Sequence, residues 1–198
     1  MGLGLSGRTL GVVGAGGIGK ELLRMARVFD LKLLATDPIA NDVELGYIGA
    51  RKVDLDTLMR ESDFVVVCCL LNERTRHLIG TEALAKMKPT SYLINVARGP
   101  IVDEKALIDV LRKRRIAGAA LDVFEQEPVD PENPLLTMDN VIVTPHSLCW
   151  TDECFHNMAS TGLRSIVDAL NGRVPEFLVN RAVLQHGRAA EWFRRRGE

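Results

Sequence analysis

Short aliphatic runs alternate with stretches of helical periodicity from one end of the chain to the other. Strands are predicted over residues 9–13, 32–36, a short segment near 51–53, 64–69, 92–95, 117–121 and 141–143. Most of these runs are continuously apolar rather than alternating, as strands covered by helices on both faces require. Helices are predicted over 19–29, 55–61, 82–86, 104–114 and a long stretch from 152 to about 171, which Gly172 closes as a C-terminal cap. In 104–114 the apolar Ala106, Leu107, Val110 and Leu111 keep helical spacing, with Lys105, Arg112 and Lys113 on the opposite side. This regular exchange of strand and helix predicts an α/β fold, a parallel sheet with helices on both faces. The Pro-rich stretch 127–134 reads as an ordered loop between strands, and the arginine-rich end from residue 184 to 198 as a solvated basic tail.

Composition narrows the function classes. Of 198 residues 46% are apolar, enough for a sizeable core. Twenty-five basic against 26 acidic side chains leave a net charge of -1, which argues against a nucleic-acid binder. The longest apolar run, Phe64 to Leu71, has eight residues, far fewer than a membrane span needs. Cysteines at 68, 69, 149 and 154 have neither the density of a disulfide scaffold nor metal-type spacing, so no metal is expected and a cytoplasmic, reducing compartment is. Met1, Gly2 and Ser6 fit a loose acylation pattern, but the neighbouring Leu3 and Gly4 read as the approach to a strand.

The first chemistry lies between the first strand and the first helix. Gly14-Ala-Gly16-Gly17-Ile18-Gly19 contains G-x-G-x-x-G in the strand–turn–helix setting that dinucleotide binding requires. Gly14 allows the tight turn, Gly16 lets the backbone approach a pyrophosphate, and Gly19 permits close helix–strand packing. Amides around Gly17 and Ile18 would face the phosphates at the positive end of the helix. Asp37 ends the second strand, eighteen residues beyond Gly19. An acid there can accept from the adenosine ribose hydroxyls and repel a 2′-phosphate, so NAD is expected as cofactor rather than NADP. The fold class becomes a Rossmann-type doubly wound parallel sheet.

Three further segments end predicted strands, where open α/β sheets place their ligand crevice. They are Asn95-Val-Ala-Arg98-Gly99-Pro100, Asp122-Val-Phe-Glu125-Gln-Glu127-Pro128 and Thr144-Pro-His146-Ser147. Together with the glycine turn they resemble the nicotinamide-binding domain of the D-isomer-specific 2-hydroxyacid dehydrogenases, over about residues 5–183. The resemblance implies hydride transfer between NAD and a small 2-hydroxy or 2-oxo acid. It places the substrate-carboxylate cation on Arg98, the acid/base on His146, and the partner carboxylate on Glu127 rather than Glu125. A guanidinium can hold carboxylate and carbonyl oxygens together, and an imidazole can exchange a proton near neutrality. The resemblance also implies that Asp122 sits near the nicotinamide, with Cys69, Val96, Ala97 and Cys149 bordering the cofactor beside Arg98 and His146. Pairing of cofactor domains into a homodimer follows from it too.

This chain departs from the family pattern in three places. Cys68-Cys69-Leu70-Leu71 stands where many members have His-x-Pro, and bulky Leu148, Cys149 and Trp150 follow the acid/base segment. Residues before Thr9 are too few for the family's N-terminal substrate domain, and 175–183 reads as the strand or arm that would return to it. Residues 1–183 are therefore expected to form the NAD-binding domain alone. Two other function classes stay open at this point: an NAD-binding or NAD-sensing module without catalysis, and an inert fragment.

Overall fold

The computed structural model describes residues 4–196, so Met1 and Gly2 of the acylation pattern lie outside the described residues. Seven strands form one sheet: β1 (Thr9–Val13), β2 (Lys32–Thr36), β3 (Ala50–Lys52), β4 (Phe64–Val67), β5 (Tyr92–Asn95), β6 (Gly118–Leu121) and β7 (Val141–Val143). Every neighbouring pair is parallel, in the order β3-β2-β1-β4-β5-β6-β7. Chain order runs outward from β1 on one side and from β4 on the other, so the topological switch falls between them. Ligands bind beyond the C-terminal strand ends at such a point.

Period-two alternation within each strand divides the core between two faces. Leu10 and Val12 of β1 pack with Leu23 of α1 (Gly17–Ala26) and with Leu45 and Ile48 of α2 (Asp42–Ile48). Val13 of β1, with Val65 and Val67 of β4, turns the other way. There it meets Leu58 and Met59 of α3 (Leu55–Glu61), Leu84 of α4 (Thr81–Ala85), and Leu107 and Leu111 of α5 (Glu104–Arg112). Asp54 and Asp103 cap α3 and α5, each accepting from the backbone N–H three residues on, at 2.7 and 3.0 Å. Such caps satisfy amides that a helix leaves unpaired at its start.

The strand expectations hold closely. Three differ by a residue or two: β3 begins at Ala50, β4 stops at Val67, and β6 starts at Gly118. Helix α2 had not been expected. Contacts divide the chain into one compact unit ending at Leu148 and a second from Cys149 onward, whereas the sequence reading placed the end of the NAD-binding domain at Val183. The sheet is complete at β7, and within the second unit α6 (Asp152–Leu170) is joined to α7 (Gly187–Arg196) by the Trp192 indole N–H donating to the Ala169 carbonyl at 2.7 Å. The expected solvated tail is thus helical through most of its length, with Ala190 buried. Residues 175–183 form no strand. Asn180 accepts from the Ala182 N–H at 3.2 Å and starts a 3₁₀ turn over Arg181–Leu184, a local alternative to sheet pairing.

Candidate active site

The glycine turn leaves β1 at the topological switch, and each glycine meets a different constraint. Gly14 has φ +96°, and an added Cβ would collide with the backbone of Cys69, just past the neighbouring strand β4. A Cβ on Gly19 would strike the Gly14 carbonyl. Gly16 and Gly17 instead face open space, and α1 begins without a side-chain cap. Tight turn, exposed amides and close helix packing therefore occur in one segment, and this cradle fits a pyrophosphate.

Asp37 fixes this turn from the end of β2. Its Oδ2 accepts from the Ala15 N–H at 2.9 Å, while Oδ1 accepts from Ile39 and Ala40 at 2.8 and 3.0 Å. Partial burial opposes ionisation, but the three backbone donors and the Lys52 charge outweigh it and hold the carboxyl below its ordinary value. Three of about four acceptor sites are thereby used, leaving roughly one for a ribose hydroxyl. Burial pushes the Cys68 thiol up to about 11 and raises that of Cys69 as well, so both stay protonated and act as packing groups.

Beyond β5, Asn95 shapes the turn that carries Arg98. Its side-chain oxygen accepts from the Ala97 N–H at 3.1 Å and its amide donates to the Arg98 carbonyl at 3.0 Å. The Arg98 guanidinium is exposed and donates to the Ala97 carbonyl at 2.6 Å. Ala97 thus spends both backbone groups inside the turn, whereas Val96 packs against the core on the α1 side. Gly99 lies directly on the Phe124–Glu125 backbone, where an added Cβ would overlap the peptide. The turns after β5 and β6 are consequently interlocked.

Asp122, only 6% exposed, ends β6 and organises the segment after β7. Its carboxylate accepts from the Thr144 hydroxyl at 2.6 Å and from the Ser147 and Leu148 N–H groups at 2.9 and 3.3 Å. Burial works against the charge, yet these donors and nearby His146 keep the carboxyl below the usual Asp range. His146 is held on that loop at φ +53°, a left-handed conformation uncommon outside glycine. Its Nδ1 lies 2.8 Å from Oε2 of Glu127, whose Oε1 accepts from the Phe124 N–H at 3.0 Å.

Desolvation pushes the Glu127 carboxyl up, but the His146 and Phe124 hydrogen bonds and the Arg98 charge bring it below the ordinary Glu value. An ionised carboxylate only accepts, so Nδ1 carries the hydrogen and Nε2 remains for proton exchange with a ligand. Glu125 turns elsewhere, with its Oε1 3.0 Å from Nε2 of His77. His77 was not singled out in the sequence; it lies 48 positions from Glu125, and no motif connects them. Cys149 begins the second unit.

Comparisons with known proteins point to one family. Residues 1–147 match the family described as D-isomer specific 2-hydroxyacid dehydrogenase, NAD binding domain. A glyoxylate reductase of Thermofilum pendens is 46% identical over 182 residues, covering 91% of this chain and 54% of that protein. The structure of D-lactate dehydrogenase with NAD+ from Lactobacillus jensenii superposes with a TM-score of 0.83 at 34% identity, covering 91% of this chain and 58% of that one. The holo form of Rhodotorula graminis D-mandelate dehydrogenase gives 0.81 at 34% identity, over 88% and 51%. This chain thus spans about half the length of the relatives it matches. It belongs to the D-isomer specific 2-hydroxyacid dehydrogenases and carries their NAD-binding domain.

Proposed function

We propose that this chain supplies the cofactor and acid/base half of an NAD-dependent D-2-hydroxyacid dehydrogenase, acting on a short 2-hydroxy or 2-oxo acid. One observation carries the reading: the His146–Glu127 pair at 2.8 Å, with the Arg98 charge acting on the same carboxylate. Gly16, Gly17 and Ile18 would hold the pyrophosphate of NAD and Asp37 its adenosine ribose. When bound, NAD supplies the hydride acceptor or donor.

Arg98 binds the substrate carboxylate through its guanidinium, whose paired N–H groups suit two oxygens at once. His146 Nε2 takes the hydroxyl proton in oxidation and returns it in reduction. Glu127 keeps the opposite nitrogen protonated and stabilises the imidazolium. Asp122 contributes by holding the His146 loop, a role beyond the nicotinamide contact that the resemblance implied. The glyoxylate reductase relative makes glyoxylate a first substrate to try.

Calorimetric titration with NAD, followed by an NADH absorbance assay over a panel of short 2-oxo acids, tests the proposal. Asp37→Ala is expected to weaken NAD binding by about 10- to 100-fold, because a charged acceptor is lost together with the anchor of Ala15. NADP should be affected less, since the same change removes a negative charge facing its 2′-phosphate. Unchanged NAD affinity would remove Asp37 from the site.

The proposal extends to a homodimer in the cytoplasm. Four free thiols suit a reducing compartment. Helix α6 exposes Leu163, Ile166, Val167 and Leu170, an apolar row that a second copy could cover. Sedimentation equilibrium should show a concentration-dependent dimer, and a monomer throughout would exclude it.

A further inference from the structure

We propose that His77 is a positioning residue for this site, its imidazole fixing the segment that carries Glu127 to the turn that carries Arg98. The inference rests on the roles assigned above to Arg98 and Glu127. His77 meets both segments at once. Its backbone N–H donates to the Pro100 carbonyl at 2.8 Å, two residues beyond Arg98. Its Nε2 is 3.0 Å from Oε1 of Glu125, two residues before Glu127.

Its backbone adopts φ +51°, which glycine or asparagine would satisfy at lower steric cost. What histidine adds at this position is an imidazole that reaches the Glu125 carboxylate across the junction, at 3.0 Å. Glu104 also clasps Glu125, its N–H donating to Oε1 at 2.8 Å and its Oε2 accepting from the Glu125 N–H at 3.1 Å. Those bonds tie the segment to α5. The His77 contact joins it to the Arg98 turn, along the seam where Gly99 presses on the Phe124–Glu125 peptide.

Electrostatics gives the donor a further task. Glu125 borders a cavity of about 610 Å³ where the acidic Asp103, Glu104, Asp130 and Glu132 outnumber the basic side chains, Lys105 and His77 itself. Like charges around a partly exposed carboxylate favour swinging it into solvent. The His77 imidazole, which lines the same cavity 3.0 Å from the carboxylate, opposes that movement, and with it the loosening of the three residues leading to Glu127. In this arrangement His77 touches neither substrate nor cofactor; it acts through Glu125.

The test uses the chain as it stands. His77→Ala removes the imidazole, while His77→Gln keeps a side-chain N–H donor for Glu125. Proton NMR of the imidazole N–H region reports the His146–Glu127 hydrogen bond directly, whether or not the chain binds NAD. In His77→Ala the His146 Nδ1–H signal should broaden or vanish through solvent exchange faster by about tenfold or more. His77→Gln should restore it. NAD affinity by calorimetry should stay within about twofold in both variants, because the glycine turn leaves a different strand.

A fully protected signal in His77→Ala would overturn the proposal. So would equal damage in His77→Gln, or a loss of NAD affinity that tracks the signal, since either indicates a role in the fold alone. If His77→Ala does not fold, Glu125→Ala decides from the other side of the pair: signal lost supports the proposal, signal kept overturns it. An unsubstituted chain without NAD affinity would defeat the dehydrogenase reading and leave the NMR result standing on its own.

Discussion

Replacing Gly99 by alanine should lower stability by about 3 kcal/mol or more, which for a chain of this size is roughly a 6–12 °C fall in Tm. The new methyl group would overlap main-chain atoms of Phe124 and Glu125, which cannot rotate away as a side chain could. Both partners are fixed by further bonds. The Asp122 N–H donates to the Asn95 carbonyl at 3.1 Å, and Asn95 closes the Arg98 turn. Relief must therefore come from parting the turns after β5 and β6, which carries Arg98 away from Glu127. Scanning calorimetry reads the stability loss. A Tm within a degree of the parent would mean that the two turns are not packed as described.

In the proposed dehydrogenase, His146→Asn should reduce turnover by about 10²- to 10⁴-fold, the usual range for loss of a positioned acid/base. The effect on NAD binding should be far smaller. Asparagine tolerates the left-handed backbone that His146 adopts at φ +53°, so the loop keeps its course. Its amide can still donate toward Glu127, but it cannot exchange a proton with a substrate hydroxyl. Comparing turnover of the parent and variant in the NADH assay, with NAD affinity measured by calorimetry, separates the two effects. Near-normal turnover would assign the proton to another group.

Legibility in the sequence depended on whether a feature is local. The glycine turn could be read because its constraints act within a few residues of backbone: φ at Gly14, approach at Gly16, packing at Gly19. Strands β1, β2 and β5 were readable as short apolar runs between polar breaks, and their bounds agree with expectation. Helix α2 was missed because seven residues containing Gly46 and Tyr47 show little periodicity. Its signals were at the ends: Asn41 accepts from Val43 at 2.8 Å, and Gly49 closes the helix at φ +82°. Helix α7 was hidden by its arginines, with Ala190 buried beside the anchored Trp192.

Long-range pairings were the least visible part. Resemblance pointed to Arg98, Glu127 and His146 as residue types at strand ends. Nothing in the chain announced that Asp122 would gather Thr144, Ser147 and Leu148 around one carboxylate. The 3.0 Å contact between His77 and Glu125 joins two loops that the sheet order brings together.

The carboxylate of Asp122 also sets how acid the solution must become before the His146 loop comes loose. Its pKa in the folded chain lies below that of an unfolded Asp, about 3.9. The stabilisation it gives is therefore complete above that unfolded value and fades only as pH falls through the lower folded one. Through mild acid and neutrality the anchor keeps one charge state. In the proposed reaction the imidazole gains and loses a proton at every cycle, so the group that must titrate hangs from one that does not.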